Sequence, residues 1–195
     1  MTQIQRPPAR CSDEGRGRRK LAFVIVLLIL STLGLTTITS PAMAYTKTGC
    51  KWHSAELKIR TSSVASTYST GISYAILDYN NRTQAPHITR TTASGPSWTA
   101  ASGNYGATGW EAHAQWSCPL GIQANCAMKL NTHYLSGTET DVNDRIVWSH
   151  EMGHCMGLDH VSGLHHVMYT SATKAYNDGV VQLTSDEVNG INAIY

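Results

Sequence analysis

The sequence predicts an α+β fold in which strands and one helix come first and helices dominate the end of the chain. Three patterns carry this prediction. Polar and apolar residues alternate at 56–60, as in a half-buried strand. Apolar residues recur every three to four positions from Val64 to Tyr79, as in an amphipathic helix. The last third holds two more helical patterns, one opening at Asp141 and one at Thr184.

The first 44 residues are predicted to be an export signal. An Arg-rich opening ends at Lys20, residues 21–30 carry no polar side chain, and Ala42-Met43-Ala44 has the small-x-small pattern that signal peptidases accept. Residues 1–44 are therefore expected to be a signal peptide and 45–195 the mature domain. Ten helical residues cover about 15 Å, half of a hydrocarbon core. Counting through Ile38 lengthens the span, so an uncleaved signal anchor is the alternative.

Four strands and one helix are predicted in the first part of the mature domain. The strands are 56–60, 87–91, 110–116 and 127–134. The helix begins at a cap on Ser62 or Ser63 and ends at Asn80-Asn81. The rest of the polar region 82–109 is expected to be a long surface loop.

Two helices follow. One starts in the acidic turn 141–144, which suits the helix dipole, and runs to Gly157. The other begins with the capping box of Thr184 and Glu187. Its apolar stripe consists of Val188, Ile191 and Ile194.

Composition excludes several classes of protein. Without the leader the chain carries nine basic and eleven acidic residues, a net charge of −2, and no run of Lys or Arg. This argues against an electrostatic nucleic-acid binder, because phosphate affinity needs clustered positive charge. A hydrophobic content of 42% with five Trp and nine Tyr can build a core, which argues against disorder.

Four cysteines remain in the mature domain because Cys11 leaves with the leader. They are Cys50, Cys118, Cys126 and Cys155. An even number outside the cell indicates two disulfides. Cys118 and Cys126 flank a short loop and form one candidate pair, which leaves Cys50 and Cys155 by elimination. Three connectivities are possible, and the sequence does not choose between them.

Residues 150–160 follow the pattern H-E-x-x-H-x-x-G-x-x-H. His150 and His154 lie one turn apart on the same face of a helix, so both can reach one metal ion at about 2.0 Å. Gly157 supplies the positive φ that ends the helix. His160 then completes three nitrogen ligands and leaves one position open for water. Glu151 projects toward that water and is the predicted catalytic base.

Two other interpretations of this segment compete. Helical histidines are often surface polar groups, but the added Gly and third His bring chance occurrence to about one in ten thousand. A closed structural zinc site needs four protein ligands, often thiolates. Cys155 is the candidate fourth ligand, yet it follows His154 by one residue and so points about 100° away around the helix.

With its third histidine, the motif resembles that of the metzincin zinc peptidases, and it is most similar to the matrixin, or matrix metalloproteinase-like, catalytic domain. Met168 stands eight residues after His160, as the methionine of the matrixin Met-turn follows the third ligand, and Tyr169 continues the same M-Y pair. Residues 183–195 resemble the last matrixin helix, and 111–115 resemble the edge strand that aligns an extended substrate.

The resemblance implies a zincin/metzincin fold. This is a twisted mixed β-sheet with an antiparallel edge strand, an active-site helix and a small C-terminal helical subdomain. It also implies one catalytic Zn²⁺ above Met168, which forms a hydrophobic base beneath the imidazoles. Tyr169 is expected to line the cleft wall, to help stabilise the oxyanion, or simply to pack.

The sequence departs from the family in two respects. No segment between Ala44 and the first strand fits a propeptide with a zinc-blocking cysteine. Residues 82–109 contain no acid and only His87, so structural calcium or a second zinc is not expected. His113 is either a structural-zinc ligand or a surface histidine, and His165 and His166 either border the substrate pocket or are solvated.

We therefore predict a secreted, monomeric zinc-dependent endopeptidase. It would hydrolyse peptide bonds in extended protein or peptide substrates through a zinc-bound water and Glu151 as general base. No nucleic acid is expected as a partner, and no membrane after signal cleavage. One alternative is a non-catalytic secreted binding or scaffold protein that keeps a zinc-stabilised metzincin shell, in which Glu151 would have no chemical role. Another is a carbohydrate-binding module, prompted by the many aromatic residues.

Overall fold

A five-stranded mixed sheet organises the protein in a computed structural model, which describes residues 45–135 and 141–195. The strands in chain order are β1 (Thr46–Lys47), β2 (Glu56–Ser63), β3 (His87–Thr91), β4 (Trp98–Gly103), β5 (Ala112–Ser117), β6 (Asn125–Asn131) and β7 (Leu158–Asp159). The large sheet has the order β3-β2-β4-β6-β5. Its neighbours are parallel except for β5, which pairs antiparallel to β6 at one edge. The predicted mixed sheet with an antiparallel edge strand is confirmed.

Four α-helices among the described residues pack with the strands. They are α1 (Ser69–Arg82), α2 (Asp141–Cys155), α3 (Ala172–Asn177) and α4 (Ser185–Asn192), with short 3-10 helices at Ser66–Tyr68 and Pro119–Gly121. Long helices α1 and α2 pack on each other, and α2 also lies against β5 and β6. The described residues belong to one compact unit, Met43–Tyr195. The predicted α+β class is confirmed.

The core lies between the sheet and the two long helices. Fully buried side chains include Ile59 from β2, Trp98 from β4, Ile72 from α1 and Trp148 from α2. Because burial of a large apolar side chain contributes about 1.5–3 kcal/mol, this layer fixes the position of α2 against the sheet. The helix that carries the first two histidines is thereby held over β5 and β6.

Two predicted elements differ most from the structure. The first helix was expected to begin at Ser62 or Ser63, but β2 runs through Ser63, which pairs with Ala101 of β4, and α1 begins only at Ser69. The predicted surface loop within 82–109 contains β4, a central strand. Its Thr, Ser and Ala residues lack the alternation of bulky apolar and polar side chains that predicts a strand. Strands β2 and β6 nevertheless pair with both of its edges.

Both disulfides form, but with another pairing than the candidate one. Cys50 bonds to Cys118, and Cys126 bonds to Cys155. Pairing Cys118 with Cys126 was wrong because Cys126 lies inside β6, opposite Trp116, and is buried beneath the end of α2. Its side chain therefore meets Cys155, the last residue of α2.

The C-terminal helix closes the domain as the sequence predicted. Thr184 and Glu187 form a capping box at the start of α4, and Ile191 is fully buried in the core. Strand β1 pairs antiparallel with β7, with Thr46 opposite Asp159. The beginning of the described chain thus supports the segment that carries His160.

The predicted signal peptide, residues 1–44, lies outside the described residues. Among the helices that are described, none is both long and apolar enough to cross a membrane.

Candidate metal centre and substrate cleft

Three imidazoles meet at the exit of helix α2. His150 Nε2 lies 3.1 Å from His160 Nε2, and His154 Nε2 lies 3.2 Å from the same atom. A tetrahedral zinc ion with Zn–N bonds of about 2.0–2.1 Å separates its nitrogen ligands by about 3.3 Å. Within residues 45–135 and 141–195, these histidines form the one group of three or more His, Cys, Asp or Glu residues arranged to hold a metal.

Backbone carbonyls orient two of these rings. His150 Nδ1 donates to Val167 O at 2.7 Å, and His154 Nδ1 donates to Leu158 O at 3.0 Å. Because a carbonyl only accepts, each Nδ1 carries the proton and each Nε2 presents a lone pair. His160 Nε2 can donate to only one of them. The trio therefore leaves a lone pair without a hydrogen, an arrangement that a divalent cation satisfies.

Burial keeps the two helical rings neutral. Desolvation, followed by repulsion from His154, lowers the pKa of His150 from 6.5 to about 3. Desolvation likewise lowers the pKa of His154 to about 4, against the hydrogen bond to Leu158. Metal binding requires neutral imidazole, so at pH 7 no proton has to be displaced from these ligands. The donor set fits zinc.

The turn between α2 and His160 depends on Gly157. Its φ is +99°, which only glycine adopts without strain, and a Cβ there would lie 2.2 Å from Cys50 O. Thr48 N donates to Gly157 O at 2.9 Å, so the strand before Cys50 holds this turn from outside. The chain then reverses through β7 and brings the exposed His160 back to the helix.

Met168 packs against helix α2 at Gly153. It is buried, and its Sδ would be 2.2 Å from a Cβ on Gly153, the residue before His154. Glu187 Oε1 accepts a hydrogen bond from Met168 N at 3.3 Å, which ties this turn to α4. The sulfur thus packs against the backbone of α2, where a side chain at residue 153 would not fit.

Glu151 is a buried carboxyl beside the three histidines. It is only 5% exposed and lines the same cleft as His150, His154 and His160. Burial, and next the negative charge of Glu111, raises the pKa of Glu151 from 4.5 to about 8, against a hydrogen bond from the Ala114 backbone. A carboxyl kept this basic is suited to accept and return protons.

An open cleft of about 600 Å³ runs past these groups. One wall is strand β5 with the residues before it, a second is α2, and a third is the segment from Thr170 to Lys174. Trp116 of β5 stacks on His154, with ring centroids 5.6 Å apart. The edge strand predicted at 111–115 thus borders the cleft that contains the histidines.

Of the remaining predicted residues, His113 lines the cleft, and Tyr169, His165 and His166 do not. Tyr169 is half-buried, forms an isolated β-bridge with Val161, and is not among the side chains that line the cleft. Exposed His113 lies 6.0 Å from the Trp110 ring. The other two histidines face carboxylates near the C-terminus. His165 Nδ1 is 2.5 Å from Asp178, and His166 Nδ1 is 3.5 Å from Asp186.

Cys155 cannot act as a fourth metal ligand because its sulfur is bonded to Cys126. Another group in the cleft, the carboxylate of Glu111, is not predicted from the sequence. It accepts hydrogen bonds from Ser171 Oγ at 2.8 Å and from Thr173 N at 3.0 Å. An isolated acid before a predicted strand gives no signal of such a contact, because its partners are 60 residues away or more.

Two comparisons with known proteins bear on this site. The matrixin family model matches residues 95–195. A protein of Spodoptera frugiperda ascovirus 1a named "Putative matrix metalloproteinase" is 45% identical over 47 residues. That match covers 24% of this chain and 12% of the viral protein, so the chain spans only a small part of that relative's length.

Proposed function

The chain belongs to the matrixin family, and we propose that it is a secreted zinc-dependent endopeptidase whose catalytic domain is residues 45–195. In this proposal His150, His154 and His160 hold the zinc, Glu151 is the general base, and Met168 is the base of the metal site. The convergence of the three Nε2 atoms supports the ligand set. Tyr169 would pack against the core beside Val161 rather than act in the cleft.

Bound zinc would polarise the scissile carbonyl and acidify the attacking water. The chain's own residues supply the rest. Val167 O and Leu158 O hold the two helical imidazoles in the tautomer that presents Nε2. Because Glu151 is a buried basic group, it limits the positions in the cleft at which a proton can be taken up.

Glu151 would move one proton twice. As the water oxygen forms its bond to the carbonyl carbon, the Glu151 carboxylate takes a proton from that water. As the peptide C–N bond breaks, the same proton passes to the departing nitrogen. The products are one new carboxyl group and one new amine, and Glu151 returns to its starting state.

An extended substrate would align along β5. This strand is the edge of the sheet, so its outer N–H and C=O groups have no partner strand within the described sheet. Addition of a peptide strand would hold the substrate by main-chain hydrogen bonds, while side-chain pockets select among sequences. Ala112, Ala114 and Trp116 line the cleft from this strand, which supports that orientation.

Secretion is supported by two features. Both disulfides suit an oxidising compartment. Residues 1–44 have the composition of a cleavable signal peptide. We propose that the mature domain is released outside the cell as a monomer, and that it needs neither a structural calcium nor a second zinc.

The burial of Glu151 beside the histidines carries the proposal. A scaffold that only binds zinc would have no use for a desolvated carboxyl in this position, because burying such a group without a role costs stability. A hydrolase needs a basic group within reach of both the attacking water and the leaving nitrogen.

The test is Glu151→Gln, which keeps the shape of the side chain and removes its basicity. We expect casein cleavage to fall at least a thousandfold while the zinc content, measured by mass spectrometry of the purified protein, stays at one ion per chain. Cleavage at a near wild-type rate would show that Glu151 is not the base. A wild-type protein that binds zinc and cleaves nothing would favour the scaffold alternative.

A further inference from the structure

The cleft contains a second carboxylate that the proposed hydrolysis does not use. Glu111 lies just before β5, and its side chain crosses to the opposite wall, where it accepts hydrogen bonds from Ser171 Oγ and Thr173 N. It therefore closes one end of the cleft. We call the space bounded by Glu111, Val147, Glu151 and Ala172 the Glu111 pocket.

The carboxylate of Glu111 keeps capacity for a further partner. Each of its oxygens accepts one hydrogen bond from the protein, whereas a carboxylate oxygen offers two lone pairs. None of the ion pairs among the described residues includes Glu111. Its side chain is half-buried and lines the cleft, so a cationic group in the cleft can reach it.

The position of Glu151 tells which substrate residue enters this pocket. The group that returns the proton must lie beside the departing nitrogen, and that nitrogen belongs to the residue after the scissile bond. Glu111 and Glu151 line the same cleft, and Glu111 stands directly before the first residue of β5. Trp116 lies at the other end of β5, where it stacks on His154.

The walls of the Glu111 pocket suit a long side chain with a charged tip. Ala112, Val147 and Ala172 line the cleft there, so a methylene stem would meet an apolar wall. Glu111 then faces the tip. Lys174 is the one basic side chain on this wall, but it is exposed, so water screens its charge more than that of Glu111.

We propose that Glu111 determines specificity and that its pocket selects lysine or arginine as the residue immediately after the scissile bond. This inference rests on the proposed function, since it concerns the substrate of the same site. It assigns the enzyme to the class of endopeptidases that cut before basic residues. Glu111 is a specificity-determining residue in this scheme and takes no part in proton transfer.

The experiment uses quenched fluorescent peptides that differ only in the residue after the scissile bond. Lysine and norleucine have stems of similar length and differ in the terminal charge, so the ratio of their kcat/KM values isolates the electrostatic contribution. We expect the wild-type ratio to exceed five. In Glu111→Gln the ratio should fall about tenfold, because the amide keeps both hydrogen bonds, with Ser171 Oγ now accepting, but carries no charge.

Two further variants complete the design. Glu56→Gln removes the same charge from an exposed position outside the cleft, and the lysine to norleucine ratio should not change. Lys174→Gln removes the opposing charge, and the ratio should rise about threefold. If the thermal melting curve shows that Glu111→Gln is unfolded, Lys174→Gln alone tests the inference.

The outcomes separate this inference from the proposed function. If the wild type cleaves the norleucine peptide as fast as the lysine peptide, or Glu111→Gln and Lys174→Gln both keep the wild-type ratio, the specificity inference is wrong and the peptidase stands. If the zinc-loaded wild type cleaves neither peptide nor casein, the peptidase proposal is wrong, and so is the specificity inference that rests on it.

Discussion

The metal centre and the Glu111 pocket lie in the same cleft but are built in opposite ways. The three histidines come from eleven consecutive residues, and one helix and one glycine bring them together. The Glu111 pocket takes residues from the start of β5, from α2 and from the segment after Met168, and its hydrogen bonds link residues 60 and 62 positions apart. The proposed reacting groups are thus encoded locally, whereas the proposed selection of substrates depends on the whole topology.

This contrast predicts that changes at the metal centre affect the cleavage of every peptide, whereas changes in the Glu111 pocket affect the selectivity among peptides. Removing zinc with a chelator should abolish cleavage of every peptide, because no other described group replaces the Lewis acid. The apparent melting temperature should also fall, since zinc binds the folded form preferentially. Peptide assays and melting curves before and after zinc is restored measure both effects.

The control for this experiment is Glu111→Gln, which should lose selectivity but remain as sensitive to the chelator as the wild type. Chelator-resistant cleavage of any peptide would contradict the assignment of the histidines as the catalytic metal site.

The two disulfides offer a second way to separate the regions. They close loops with sequence separations of 68 and 29 residues, for which chain entropy gives about 4.4 and about 3.6 kcal/mol of stabilisation. Replacing either pair by alanine should therefore lower the free energy of unfolding by a similar amount, measured by urea denaturation.

Activity per folded molecule should distinguish these two variants. Cys155 directly follows His154 and fixes the end of α2 to β6, so loss of Cys126–Cys155 should weaken zinc binding. Loss of Cys50–Cys118 should leave zinc affinity nearly unchanged. Zinc affinity is measured by competition with a chelating dye. Equal zinc affinities in the two variants would show that the Cys126–Cys155 disulfide does not position His154.

A third prediction concerns the turn that returns His160 to the helix. Gly157→Ala should lower the free energy of unfolding by about 3 kcal/mol or more, because the methyl group meets a backbone oxygen and the φ of +99° is strained for alanine. Urea denaturation of the purified variant measures the loss.

The matched control is Gly179→Ala, at a position with φ of +98° but no atom within 4 Å of the added Cβ. It carries only the conformational strain and should cost about 1 kcal/mol. Equal losses in the two variants would mean that the contact with Cys50 O adds nothing.

How much the sequence could predict follows the same division between local and distant contacts. The histidine motif, the capping box of α4 and the strand at 87–91 are patterns within a few residues, and the structure agrees with them. The disulfide pairing and strand β4 depend on which segments become neighbours in the sheet. The strand order decides which residues contact Cys126 and Trp98, and no local pattern specifies that order.

The smallest predicted effect tests how the metal-binding helix is supported from its far side. Tyr79 of α1 is fully buried, and its hydroxyl donates to Ser149 O at 2.8 Å, directly before His150. Tyr79→Phe removes one buried hydrogen bond and should lower the free energy of unfolding by about 1 kcal/mol.

Tyr74→Phe on the same helix is the control, because Tyr74 is 47% exposed and its loss of a hydroxyl should cost nearly nothing. Since Val167 and Leu158 orient the imidazoles independently of Tyr79, the zinc affinity of Tyr79→Phe should match that of the wild type. A fall in zinc affinity without a fall in stability would instead make α1 part of the metal centre and extend it beyond the local segment.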